Sequence, residues 1–450
     1  MNRRNFIKNI LTGSALTGAA AGISLTSCGN VWQMRNGAII RESGKYDILI
    51  KGGHVVDPAN NRNEKLDVAV IKNKIATVNK NIPSEFAKKT IDANGLFVTP
   101  GFVDPHVHVV PGYHGWVNGD DVCFQSGVTT VLDVGSSGAG TFEKIKADII
   151  DKSKLRIFAL LNISSTGMDE NEQNPAFYKI DPMVETARRY RDVIIGFKTA
   201  HYWTTRPYDQ IHTPWASVDA LLEAGKKADL MVMFDFYPRP ASDGYPERSY
   251  RELILKKGRP GDVHTHVFAK HIPVIREDGS INPDLFKAQE RGFKFDVGHG
   301  AGSMVFRNAI PALEQGFLPD TMGTDLHDAN INGPVVNMAN VMSKFLAMGV
   351  KLEDVIRMST IEPARIMNQS DLGSLKTGNP ADIAVFDLQK GAIEFLDTSG
   401  GKIRGDRRIF NMLTIAGGSI EFDPYGLSYP YWKDIPKGDT YWINPSGQPY

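Results

Sequence analysis

The chain has 450 residues, 51 basic and 51 acidic side chains, and two cysteines. Balanced charge supplies no basic face for a polynucleotide, a 42% hydrophobic composition excludes a disordered chain, and two cysteines cannot build a disulfide framework. The length suits one large barrel with an accessory domain, or two or three domains of about 100 to 200 residues.

Arg3, Arg4 and Lys8 precede a mildly apolar run from Ile10 to Leu25, and no acid occurs before Cys28. A basic start followed by an apolar run is the layout of a signal peptide. The run is too short and too weakly apolar for a spanning helix, which needs roughly 20 strongly apolar residues. Asn2 to Lys8 resembles a twin-arginine export signal, and Leu25-Thr26-Ser27-Cys28 resembles a bacterial lipobox whose cysteine is lipidated. The expected signal is therefore 1–28, and the expected mature chain begins at Cys28 with 48 basic against 51 acidic groups. It is expected to be a periplasmic or cell-envelope lipoprotein exported by the twin-arginine route, meeting the membrane only through the lipid on Cys28.

After a polar linker, Tyr46–Val56 and Leu66–Val78 alternate and are rich in Val and Ile, which predicts strands. The same signature returns in Ala381–Leu388 and Ile409–Phe422. Between these flanks, apolar runs alternate with amphipathic helical stretches. The runs are Val128–Val134, Leu155–Ile163, Val193–Thr199, Leu230–Phe236, Val263–Phe268 and Phe295–Gly298. The helical stretches are Phe142–Lys152, Pro182–Tyr190, Val218–Lys227, Tyr250–Lys257, Phe306–Gln315 and Val335–Met348. This is the pattern of a parallel sheet, and its span is close to the roughly 250 residues of a closed eight-fold barrel. An open doubly wound sheet is the rival, but no GxGxxG follows the first strand. The expected class is α/β: a TIM (β/α)8 barrel over 101–369, with a small β-sandwich domain formed by both chain flanks, 46–100 and 370–424. The segment 425–450 is rich in aromatics and Pro and shows no periodicity.

Phe102 to Val109 reads as the first barrel strand. Strand side chains alternate, so His106 and His108 share a face with Asp104 beneath them, and two imidazoles so placed can grip one metal ion. Lys198 ends an apolar strand, Asp235 is the lone acid in Leu230–Phe236, His264 and His266 share another strand face, and Asp325 falls at a strand end. Singly, each has an ordinary structural use: Lys198 can snorkel, Asp235 or Asp325 can cap a loop or helix, and His264 or His266 can be a bonded core histidine. Barrel active sites occupy the carboxyl ends of the strands, and one polar group per strand in that order is most economically explained by a single metal site.

Pro100 to His108, Gly127-Val128-Thr129-Thr130, Gly323-Thr324-Asp325 and Gly378-Asn379-Pro380-Ala381-Asp382 resemble the amidohydrolase superfamily. Asp120 to Cys123, Gly196-Phe197-Lys198, Gly261 to His266 and Val297 to Ser303 resemble its dihydroorotase-like amidohydrolase/deacetylase group. The resemblance runs from Tyr46 to Phe422. It implies a metallohydrolase in which His106 and His108 hold the more buried metal, Lys198 as N6-carboxylysine bridges two metals, and His266 binds the second. Asp325 would bind the buried metal and act as general base. Where this sequence has Asp235, most relatives have histidine, which puts occupancy of the second metal in question. Zinc is the leading metal, one or two ions, although the carboxylates and a carbamate also suit manganese or iron.

The expected reaction is hydrolysis of an amide (N-acyl, deacetylase-like) or ester bond of a small molecule by metal-activated water. His299 would contact substrate or stabilise a glycine-rich turn, and His327 would contact substrate or orient Asp325. Arg206, Arg239 and Arg248 lie in loops after barrel strands, where they would pair with a substrate carboxylate or lie solvated. Alternatives are a non-catalytic metal- or ligand-binding lipoprotein on the same barrel and a dihydroorotase-like hydrolase of cyclic amides. The partners left by composition are a small-molecule substrate and a second copy of the chain, with no nucleic acid.

Overall fold

The computed structural model describes residues 44–435 apart from positions 201 and 243, together with three short strands nearer the N-terminus. Those strands, β1 (Ser24–Ser27), β2 (Asn30–Arg35) and β3 (Ala38–Ile40), pair antiparallel in that order. Arg3, Arg4 and Cys28, which carry the expected export and lipidation motifs, lie outside the described residues, as does the segment beyond Ile435.

The two flanks join in one mixed sheet. From the N-terminal side come β4 (Tyr46–Asp57), β5 (Arg62–Ile71), β6 (Lys74–Asn79), β7 (Ala87–Asp92) and β8 (Phe97–Pro100). Its main path runs β18-β17-β16-β8-β4-β5-β6, with β7 pairing with β4; β16 is Ile383–Leu396, β17 Lys402–Ala416 and β18 Ser419–Phe422. Its apolar positions, among them Ile50, Val68, Val98, Ile383 and Leu413, form a core of their own.

The middle of the chain forms a curled sheet of seven parallel strands in sequence order. They are β9 (Phe102–Val107), β10 (Val128–Val134), β11 (Arg156–Asn162), β12 (Ile194–Thr199), β13 (Met231–Phe234), β14 (Val263–His264) and β15 (Lys294–Phe295). Every residue of β9, β10 and β12 is buried, which is why these strands read as continuous apolar runs rather than as an alternation. The segment around Thr321–Leu326 bridges both edges of the curl, with parallel bridges from Asp296 to Thr321 and from Val107 to Leu326. Val103, Leu132, Leu160, Ile195, Met233 and Val263 pack together inside the curl with Met367 and Leu372. Helices Phe142–Asp148, Ile180–Arg189, Ala216–Ala228, Phe306–Glu314 and Met338–Ala347 follow the predicted stretches.

Two predicted elements differ. Val263–Phe268 stays in the ladder only through His264, because His266 takes a left-handed backbone (φ 63) and turns the chain off the sheet. Tyr250–Lys257 begins as an α-turn but continues as a π-helix over Leu253–Lys257, closed by Gly258 N–H donating to the Leu253 carbonyl at 2.8 Å.

The two bodies are joined at Gly101. Its N–H donates to the Asp382 carbonyl at 2.8 Å, and a Cβ there would stand 2.3 Å from Thr129 Oγ1, so only glycine fits between β8 and β9. Arg156 on β11 clamps the junction by pairing with Asp382 at 2.5 Å.

Candidate metal centre

The site lies at the carboxyl ends of the curled strands, at the floor of a cleft of about 1150 Å³. His106 near the end of β9 and His108 just beyond it are both buried, and Asp325 enters from the bridging segment. One ligand atom from each of these three residues lies within 4.8 Å of the others, a spacing that one ion can span.

The histidines are oriented from behind. His106 Nδ1 donates to Thr265 Oγ1 at 2.8 Å and lies 3.3 Å from Asp296 Oδ2, which also accepts from the Thr265 hydroxyl at 2.8 Å. Asp296 is fixed in turn by the Thr321 hydroxyl and the Gly323 N–H, both at 2.7 Å. His108 Nδ1 donates to Ser136 Oγ at 2.9 Å, and that hydroxyl donates to Asp133 Oδ2 at 3.0 Å. Asp133 also accepts from the N–H groups of Val109 and Val110. With Nδ1 committed, each ring turns Nε2 inward: His108 Nε2 is 3.1 Å and His106 Nε2 3.6 Å from Asp325 Oδ1. Such backing fixes both tautomer and ring direction.

Burial, reinforced by the Lys198 and His266 charges, holds His106 well below the ordinary imidazole range, so it is neutral and able to ligate. Burial works to raise Asp325, but the His108 hydrogen bond and the charges of His108, His266 and Lys198 outweigh it and leave the carboxyl below its usual value. Asp325 is thus an anion at neutral pH. Beneath the site Asp104 accepts from the Thr324 hydroxyl at 2.6 Å, and burial pushes it up to about 7.

Asp325 has a left-handed backbone (φ 53), as His266 does. For a non-glycine residue this costs on the order of 1–3 kcal/mol and persists only where surrounding bonds over-determine it. Here Asp325 N–H donates to the His106 carbonyl, and Asn330 Nδ2 donates to the Asp325 carbonyl, both at 2.6 Å. Gly300 packs against the carboxylate so closely that a Cβ would stand 2.3 Å from Asp325 Oδ2.

Across the floor, His266 donates from Nδ1 to the Gly298 carbonyl at 2.6 Å, and its Nε2 is 3.5 Å from Asp235 Oδ2. Lys198 is buried, with Nζ 3.4 Å from His106 Nε2. Lys198, Asp235, His266, His108, Asp325 and His327 all line the cleft, so the sequence-derived ligand candidates converge on one place. His327 caps the turn that follows, its Nδ1 accepting from Ala329 N–H at 3.3 Å, and stacks edge-on to Tyr113.

Other candidates lie elsewhere. His299 is buried behind the cleft wall, where Nδ1 donates to the Gly300 carbonyl and Nε2 accepts from Lys344 Nζ at 2.7 Å. Arg239 is a loop staple: it donates to the Trp203 and Arg206 carbonyls and lies 4.1 Å over the Tyr208 ring. Arg206 stacks on Trp203, and Arg248 is wholly buried behind the wall. His264 faces Tyr250 in the core at 3.3 Å.

Sequence reasoning missed Asp133, Asp296 and Glu172. The first two are lone acids in apolar runs, the signal that singled out Asp235. Glu172 lines the cleft from the loop after β11, accepts from Asn162 Nδ2 at 2.6 Å and Ala200 N–H at 3.3 Å, and is raised to about 7 by burial. Its loop has no periodicity from which to read it.

Residues 301–415 match the family described as "Amidohydrolase family". A deacetylase of Brucella anthropi is 33% identical over 350 residues, covering 74% of this chain and 82% of that protein. Among solved structures, an adenine deaminase superposes with TM-score 0.74 at 26% identity, covering 84% of this chain and 100% of its own. A dihydroorotase superposes with TM-score 0.68 at 28%, covering 83% and 98%. The chain belongs to the amidohydrolase superfamily. It is a hydrolase acting on carbon–nitrogen bonds, in a family that typically depends on a divalent metal.

Proposed function

We propose that this enzyme is a metal-dependent hydrolase that removes an acyl group from a small molecule by cleaving an amide or ester bond, on an eight-stranded barrel completed by Thr321–Leu326. The observation that carries the reading is the convergence of His106, His108 and Asp325 at the cleft floor, with both rings held through Nδ1 so that Nε2 faces inward. The deacetylase relative supports the acyl class.

The donor set fits a divalent ion: imidazole nitrogens, that of His106 held neutral by burial, with an ionised carboxylate, buried and backed by further hydrogen bonds. His106, His108 and Asp325 would hold one ion, and Asp235 and His266 a second. Zinc suits the nitrogens best, and the carboxylates also tolerate manganese or iron. When bound, the ion supplies Lewis acidity toward a carbonyl and toward water.

Lys198 would join the two halves as N6-carboxylysine. Its ammonium points at the Nε2 of a candidate ligand, and burying a cation there is costly. Loss of one proton, addition of carbon dioxide to the free amine and release of a second proton would leave a carbamate anion in its place. Asp325, anionic and packed against Gly300, receives the proton of the attacking water and returns it to the leaving nitrogen or oxygen. His327 and Tyr113 border the mouth, where they orient substrate.

The test combines metal analysis of the purified enzyme with a panel of N-acyl amino acids and acetyl esters. The expected result is bound divalent metal, loss of turnover on chelation, and an intact mass raised by one carbon dioxide that returns to normal in Lys198→Ala. Turnover that survives complete metal removal would sink the reading, and ring opening of cyclic amides alone would replace the acyl class. The Arg3-Arg4 and Cys28 motifs support a cell-envelope lipoprotein; lipid labelling that persists in Cys28→Ser would refute it.

A further inference from the structure

Lys344 is fully buried in the helix Met338–Ala347. An ammonium carries three donors and no acceptor, and each of the three finds a partner here. Nζ donates to the Leu396 carbonyl and to His299 Nε2, both at 2.7 Å, and to the Pro334 carbonyl; among the described residues no carboxylate pairs with it. Burial draws Lys344 down to about 7, with the Asp397 charge opposing, so the position is a costly one for an amine. An apolar side chain would fill the same helix face without that cost, and the proposed hydrolysis makes no direct use of the amine.

The three partners lie in three parts of the molecule. Pro334 is in the segment that follows Asp325 and His327, Leu396 ends β16 in the flanking sheet, and His299 opens the glycine-rich stretch after β15. Burial, with the Lys344 charge, holds His299 down to about 3, so the ring is neutral and accepts at Nε2 while Nδ1 donates to the Gly300 carbonyl at 2.9 Å. His299 N–H and Gly300 N–H donate to the carbonyls of Gly323 and Thr324, both at 3.0 Å, which lays this stretch along the chain that carries Asp325. Gly300 is where the Asp325 carboxylate packs with no room for a Cβ. The tip of the β16–β17 hairpin grips the far end of the same stretch. Thr398 donates to the Met304 carbonyl from N–H at 3.0 Å and from Oγ1 at 2.7 Å, and Asp397 accepts from Phe306 N–H at 2.9 Å. Ala301, Gly302 and Ser303, between the two grips, line the cleft.

We propose that Lys344 is a positioning residue for Asp325: through His299 it fixes Gly300, the surface against which the Asp325 carboxylate rests, and it anchors that surface to the β16–β17 hairpin of the flanking sheet. That Asp325 then moves a proton or holds an ion rests on the hydrolase reading above; its placement by Lys344 does not. A staple that merely held the fold together would lower stability alone. One that places Asp325 changes metal affinity and turnover in protein that is fully folded.

The experiment uses the full chain. Lys344→Met keeps the apolar stem and removes all three donors. In folded protein it lowers kcat on the acyl substrate by about tenfold to a hundredfold with KM unchanged, and weakens cobalt(II) by a similar factor in competition with a chelator. The visible absorption of the bound cobalt(II), which follows ligand geometry, shifts as well. Val341→Ala, buried in the same helix, lowers Tm without changing kcat or that spectrum, and so measures the cost of lost packing alone. His299→Gln keeps an acceptor for Lys344 but gives up the ring donor to Gly300; it reproduces the loss of kcat and gives a reading even where Lys344→Met fails to fold. Crystals of metal-free wild type and metal-free Lys344→Met show the Asp325 carboxylate displaced relative to Gly300 in the variant. A carboxylate in its wild-type place, or kcat and the cobalt(II) spectrum unchanged while Tm falls, overturns the proposal. If no acyl compound is turned over, the hydrolase reading fails, and the metal-free crystals still decide whether Lys344 places Asp325.

Discussion

On one side of the cleft floor, His106 and His108 are each held by a buried hydroxyl and carboxylate in series, Thr265 with Asp296 and Ser136 with Asp133. On the other side, His266 is held by one backbone carbonyl and faces Asp235 at 3.5 Å. The first half has its ligand directions set by protein alone, through side chains on three different strands or strand ends. The second depends on the Asp235 carboxylate, a shorter and negatively charged donor compared with an imidazole. On the proposed reading, preorganisation of this kind would favour the first half for the first ion.

The largest break in the comparison is His106→Asn, which removes a nitrogen from the ordered half. Bound metal and hydrolysis should vanish together, as seen by metal analysis and turnover on one sample. Next come Asp296→Asn and Asp133→Asn, which leave every candidate ligand in place but disturb its support. Each should lower metal affinity or activity by about 10- to 100-fold, measured by competition with a chelator. The matching change behind His266 is unavailable to mutation, since its support is a main-chain carbonyl. Asp235→His sharpens the contrast from the other side: it should raise occupancy of the second ion in a metal titration and leave the first unchanged.

The smallest effect is on stability. Glu172 binds its proton more tightly folded than unfolded, about 7 against a usual 4.5, so stability falls as pH rises across that interval. In metal-stripped protein, the stability gain of Glu172→Gln over wild type should grow from about pH 4.5 to 7 and level off above, reaching at most on the order of 3 kcal/mol. Thermal melts across that range check it; a flat difference would show that Glu172 keeps an ordinary acidity.

Much of the scaffold was legible because its signals are local. Val128–Val134 is rich in Val, Leu and β-branched Thr, and the strand found there has the same limits. His106 and His108 sit a strand period apart, which alone places both rings on one face. What was not legible depends on contacts distant in sequence. Asp296 reaches His106 across 190 positions, and Glu172 gains its neighbours only when the loop after β11 folds over Lys198 and Asp235. Arg239 misled for a related reason: a loop arginine looks available in sequence, yet its donors are taken by the carbonyls of Trp203 and Arg206.

The pairing of β8 with β16 joins Thr99 to Ala384, and Gly101, next to the strand that carries His106, hangs from the Asp382 carbonyl. A ribosome must therefore release most of the polypeptide before the strand leading into the site, already beside β4, gains its second neighbour. Until then the side of β8 that faces β16 is an open edge of the kind that recruits other chains. Contacts so distant also make for slow assembly. A nascent or clipped product ending short of β16 would carry His106 and His108 in full and still be a substrate for chaperones rather than a catalyst.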